Sequence, residues 1–144
     1  MELKRVVVTG LGALTPIGNS VEEYWKGLEN GVSGAAPITY FDASDFKTRF
    51  ACELKNFVVN DHLDRKEARK MDRFTQYAMV VSEEAIKDSG LDLEKEDTSR
   101  IAVIWGAGIG GLETFQNEML NHAAGDGSPR FNPFFIPKMI AKVM

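Results

Sequence analysis

Apolar and polar positions along the chain change period several times, and each change marks an element. Val6, Val7, Val8 and Thr9 lie within the run Arg5 to Gly12, which closes on glycines. A β-branched run without alternation suits a strand covered on both faces, as in a parallel sheet. Val21, Tyr24, Trp25 and Leu28 then recur at helical spacing and predict one stripe facing a core. Ser20 and Glu23 form a capping-box pattern at its start, and Gly31 stands where a left-handed residue ends a helix. Residues 35–57 hold no period and scatter Tyr40, Phe41, Phe46, Phe50 and Phe57, which predicts an irregular insertion with one short strand near Thr48–Leu54. Helical spacing returns from Arg65 to about Ser89 through Met71, Phe74, Ala78, Val81 and Ala85, with Gly90 as the stop. Arg100 to Trp105 reads as a second buried strand, and a helix from Leu112 to about Ala123 follows the glycine run after it. A turn at 125–129, an aromatic loop from Phe131 to Phe135 and a last helix opening near Pro137 and running to Met144 complete the pattern. Strands alternating with helices predict an α/β layered fold. The apolar ending from Ile140 to Met144 carries neither cap nor tail, so the natural chain is expected to continue.

Composition narrows the function classes. A chain of 144 residues suits one core. A net charge of -4 gives no global pull toward nucleic acid or an anionic membrane. Lys4 and Arg5 before three valines resemble the start of a secretion signal, but Gly10, Gly12 and Pro16 interrupt the apolar run. No stretch approaches the length of a membrane span, and a cytoplasmic protein is expected. Cys52 is the single cysteine, so no internal disulfide can form, and with only His62 and His122 beside it no metal-ligand cluster arises. Glu53 next to Cys52 would disfavour a thiolate, so Cys52 is expected to serve packing rather than catalysis. His62 and His122 have no partner pattern and are expected at the surface or at helix ends.

Two features carry candidate chemistry. Gly106-Ala107-Gly108-Ile109-Gly110-Gly111 matches G-x-G-x-x-G between an expected strand and helix, the context in which backbone N–H groups can cradle a pyrophosphate. The second strand and acidic residue of a dinucleotide fold do not follow, since Asp126 lies in a Gly-Ser-Pro turn. The alternative is that these glycines let two layers approach closely. Electrostatics supply the second feature. Lys66, Arg69, Lys70 and Arg73 share one face of the expected helix, and five basic residues against two acidic ones stand between Arg65 and Arg73. Such a stripe is either an anion-binding surface or a solvated face partly neutralised by Asp64, Glu67 and Asp72.

Taken together, Val6 to Gly12 with Thr15-Pro16-Ile17-Gly18, the run from Arg65 to Asp72, the glycine run at 106–111 and Pro133-Phe134-Phe135-Ile136-Pro137 resemble the β-ketoacyl-acyl-carrier-protein synthases, condensing enzymes of thiolase fold. The resemblance covers essentially the whole chain. It implies a layered α/β/α/β/α sandwich of two related halves, residues 1–144 forming most of the first half of a ketosynthase domain. It also implies a homodimeric acyltransferase that elongates fatty acyl chains by decarboxylative Claisen condensation of an acyl-enzyme with malonyl carrier protein. Substrates would arrive as phosphopantetheine thioesters on an acidic acyl carrier protein, with no resident cofactor and no metal. The family's nucleophilic cysteine and its histidines would lie beyond Met144, leaving no catalytic residue in this chain. By residue matching, Lys66, Arg69 and Lys70 would dock the carrier protein, Ile109 would gate the acyl pocket, and Phe135 would help line that pocket near the dimer interface. Two other readings stay open: a non-catalytic chain-length partner subunit of a condensing complex, and a dinucleotide-binding domain.

With Cys52 as its one thiol, the chain by itself is expected to take no acyl group. Mass spectrometry after incubation with acyl carrier protein checks this, and a stoichiometric adduct lost in Cys52→Ser would contradict it.

Overall fold

The computed structural model describes residues 3–140. Two compact units divide the chain, Met1–Phe57 with Val81–Leu91 and Val58–Val80 with Asp92–Met144.

In the first unit, helix α1 spans Val21–Glu29. Its capping box forms with a one-residue shift: Ser20 Oγ accepts from the Glu23 N–H at 3.2 Å, while the Glu23 carboxylate reaches back to the Asn19 N–H at 2.8 Å rather than to Ser20. Gly31 ends the helix at φ +63°. The expected core stripe is only half realised, since Val21 and Tyr24 are half-buried whereas Trp25 is 60% exposed and Leu28 also faces solvent. Strands β1 (Ala36–Pro37) and β2 (Phe50–Ala51) pair antiparallel, and the Ile38 N–H extends the ladder to the Arg49 carbonyl. The short strand foreseen in the irregular segment is therefore present. Thr39 adds hydrogen bonds from its N–H and hydroxyl to the Glu53 carboxylate. Cys52 follows β2 and is exposed, which corrects its assignment to packing.

The segments expected as buried strands at 5–12 and 100–105 form no hydrogen-bonded strand among the described residues. Val6 is 89% exposed and Ile104 92%. A strand exists only where a neighbour supplies matching N–H and C=O groups, and among the described residues neither run has one. Around residues 10–13 the backbone is held differently. Helix α3 (Arg73–Ser89) offers carboxylates: Asp88 accepts the Leu11 N–H at 2.8 Å and Glu84 accepts the Ala13 N–H at 2.8 Å. The other oxygen of Glu84 accepts the N–H of Val21, the first residue of α1, at 2.9 Å. The approach behind these bonds is so close that a Cβ on Gly10 would stand 2.1 Å from the Ala85 carbonyl oxygen, and one on Gly12 would stand 2.1 Å from that of Val81. These glycines are required by contact with α3.

In the second unit, α2 covers only Arg65–Ala68 and α3 begins at Arg73, so the single helix expected from Arg65 to Ser89 is two. Helix α4 spans Leu112–Ala124 and α5 spans Phe135–Met139. The last helix, expected to open near Pro137 and run on, instead begins at Phe135 and ends at Met139, where Ile140 is already extended; residues 141–144 lie outside the described residues. Gly90 stops α3 at φ +66°, as its position implied. In the 125–129 turn the Ser128 N–H bonds the Asp126 carboxylate at 2.9 Å and holds its pKa below the ordinary value.

Gly12→Ala should destabilise the fold by about 1–3 kcal/mol through forced backbone displacement. Gly106→Ala, whose added Cβ meets nothing within 4 Å, should leave stability nearly unchanged. Denaturant midpoints of the two variants check the contrast.

Candidate functional site

Both candidate features of the sequence lie in the second unit, and one residue that the sequence offered only as a neutralising charge organises them. Asp72 is 8% exposed. Its carbonyl accepts the N–H groups of Thr75 and Gln76 and so starts α3. Its carboxylate turns to a different helix, accepting from the hydroxyl and the N–H of Thr114 in the first turn of α4. Helix α4 needs this because its own N-cap, Gly111, has no side chain to cap with. Gly111 is glycine for a second reason: a Cβ there would meet the Lys138 carbonyl oxygen at 2.6 Å, Met139 Cα at 2.7 Å and Asp72 Oδ2 at 3.1 Å. Its N–H donates to the Met139 carbonyl at 3.0 Å, tying the glycine run to α5.

This arrangement decides between the readings of the glycine run. A pyrophosphate cradle needs free N–H groups and positive potential at the helix start. Here a carboxylate already occupies the start of α4, and the Gly111 N–H is committed to Met139. Close packing explains Gly111, while Gly106 and Gly108 stand open and Gly110 adopts φ +77°. Ile109 sits among them, 76% exposed. Phe135 is half-buried and stacks between Phe115, with ring centroids 6.3 Å apart, and Phe131, at 5.7 Å. The His122 ring, at the last turn of α4, packs 5.2 Å from Phe131 and continues the aromatic row.

The basic stripe is shorter than the periodicity implied. Asp64 caps α2 by accepting the N–H groups of Lys66 and Glu67. The chain then leaves the helix through tight turns at Lys70 and Met71, and the Gln76 side-chain amide adds a second donor, at 2.9 Å, to the Ala68 carbonyl that already accepts the Met71 N–H. Lys66 lies in α2, Arg69 is its C-cap and Lys70 follows in the turn, all exposed, while Arg73 belongs to α3 and pairs with Glu113 at 3.1 Å. Lys70 pairs with Glu67 at 2.7 Å. Among the described residues, Lys66 and Arg69 make no ion pair. The roles of Asp72 and Gln76 left no signal in the pattern, because each depends on a group brought near by tertiary folding. Among the described residues no grouping of three or more His, Cys, Asp or Glu could hold a metal, and no helix is long and apolar enough to cross a membrane.

The chain belongs to the β-ketoacyl synthase family, whose N-terminal domain matches residues 3–144. It is 50% identical over 138 residues to 3-oxoacyl-[acyl-carrier-protein] synthase 2 of Staphylococcus aureus strain COL, covering 95% of this chain and 33% of that protein. The corresponding synthase of Synechocystis is 48% identical over 143 residues, 99% of this chain and 34% of its relative. Among solved structures, the ishigamide ketosynthase/chain length factor is similar with a TM-score of 0.76 at 30% identity, covering 94% of this chain and 34% of that one. A ketosynthase bound to a hexaketide, in complex with the acyl-carrier protein of a type II polyketide synthase, is similar with a TM-score of 0.76 at 26% identity, covering 96% of this chain and 35% of that one. The fold is thus thiolase-like, this chain corresponding to the first part of it, and the chain spans about a third of the length of the relatives it matches.

Asp72→Ala should leave the Thr114 N–H without its acceptor and cost about 1–3 kcal/mol. Amide hydrogen exchange should speed up first at Thr114 and the opening turn of α4, which locates the loss at that cap.

Proposed function

We propose that this chain is part of a 3-oxoacyl-[acyl-carrier-protein] synthase that extends acyl chains by condensing an acyl-enzyme with malonyl carrier protein. The observation that carries this reading is 50% identity across 95% of the chain to synthases of that name. In this reading the enzyme is a cytoplasmic homodimer without a resident cofactor, and its nucleophile and histidines lie outside these 144 residues. Lys66, Arg69 and Lys70 receive the acidic carrier protein. Support comes from their exposure, from the absence of an ion pair at Lys66 and Arg69 among the described residues, and from a similar ketosynthase solved with a carrier protein. Steering by such a patch acts mainly on association rate.

Ile109 gates the acyl chain and Phe135 lines its path in the complete enzyme. An exposed branched side chain that follows the open Gly106 and Gly108 has room to change rotamer, and Phe135 is held in register by its two stacked neighbours. A second reading, a non-catalytic chain-length subunit, has support from the likeness to a ketosynthase/chain length factor. An active-site thiol that becomes acylated in the complete protein separates the two.

In the complete enzyme, Lys66→Glu/Arg69→Glu should lower kcat/KM for acyl-carrier-protein substrates several-fold, increasingly so at low salt. Activity on a small acyl-thioester mimic should be spared. Kinetics unchanged across a salt titration in both forms would remove the docking assignment.

A further inference from the structure

Helix α1 ends on Asn30-Gly31, the dipeptide most prone to spontaneous loss of the side-chain amide, because glycine leaves its backbone nitrogen unshielded. The structure holds both reacting groups. Asn30 Nδ2 donates to the Lys26 carbonyl at 2.7 Å, folding the side chain back over the last helical turn. The Gly31 N–H, the nucleophile in that reaction, donates to the Leu28 carbonyl at 3.1 Å. The Val32 N–H closes the turn onto the Gly27 carbonyl at 2.9 Å. Asn30 and Gly31 are exposed, and nothing lies within 4 Å of where a Cβ on Gly31 would be, so water reaches the site freely.

We propose that Asn30-Gly31 is a guarded deamidation site whose rate is set by fraying of the α1 C-terminus. Only when the last turn opens are both hydrogen bonds released. The Gly31 nitrogen then loses its proton and bonds to Asn30 Cγ, the Cγ–Nδ2 bond breaks, and ammonia leaves carrying the proton. Water opens the resulting succinimide at either carbonyl, giving aspartate or isoaspartate. The product does not fit the place its precursor held. A carboxylate cannot donate to the Lys26 carbonyl, and it adds negative charge beside Glu29 at the end of the helix where the dipole is already negative. Each event therefore loosens the turn that guarded it.

The test follows the 30–31 peptide by mass spectrometry in the complete protein of which this chain is part, incubated under native conditions and in concentrated guanidinium at the same pH and temperature. Deamidation at Asn30 should run at least about ten-fold faster in the denatured chain, as expected where a local opening limits the reaction. Lys26→Gly weakens the last turn while keeping its carbonyl, and should raise the native rate by about five-fold through glycine's poor helix propensity. Lys26→Ala removes the same ion pair to Glu22 but not the helix propensity, and should stay near the unmodified rate. Equal rates in native and denatured chains, or a Lys26→Gly rate no higher than that of Lys26→Ala, would overturn the proposal.

Discussion

Two helix starts in this chain are held by carboxylates that belong to other elements. Glu84 divides its oxygens between the Ala13 N–H and the Val21 N–H, so one side chain ties the N-terminal segment and α1 to α3. Asp72 does the corresponding work in the second unit, starting α3 with its carbonyl and capping α4 with its carboxylate. A helix start exposes backbone donors that must find acceptors, and a negative charge there also meets the favourable end of the helix dipole. Most other features of each unit follow from these placements. Gly10 and Gly12 lack side chains because the backbone of α3 lies against them, and Gly111 lacks one because α5 and Asp72 do.

The same constraint shapes what the candidate site can bind. An anion at the start of α4 would compete with a carboxylate already there, so the glycine run forms a tight junction with α5 instead of a phosphate cradle. Cations meanwhile gather on the short helix before Asp72, where the chain turns sharply and exposes them in sequence. An acidic partner would meet that surface, while the aromatic row of Phe115, Phe135, Phe131 and His122 packs α4 against α5.

Local pattern was most informative where a structure depends on its own neighbours in sequence. The start of α1 at Ser20, its end at Gly31, the stop at Gly90 and the span of α4 all follow from residues a few positions apart, because caps and helical hydrogen bonds are themselves local. Pattern failed where a partner from a distance decides. Arg65 to Ser89 keeps a continuous apolar period, yet the helix breaks at residues 69–72, where the Gln76 amide bonds the Ala68 carbonyl and Asp72 is drawn to Thr114. The family resemblance was legible from four motifs taken in order, since those motifs are short and contiguous.

Read alone, the residues were enough for the family resemblance, both ends of α1, the stop at Gly90 and the charge excess near α2. Each of these rests on residue identity, local hydrogen bonding or spacing. Only the tertiary structure decided that residues 5–12 and 100–105 find no paired strand among the described residues, that the basic stripe is divided between two helices, and that Gly111 packs against α5. Those outcomes turn on which backbone groups and which carboxylates come within hydrogen-bonding distance, and no periodicity along a single chain encodes that.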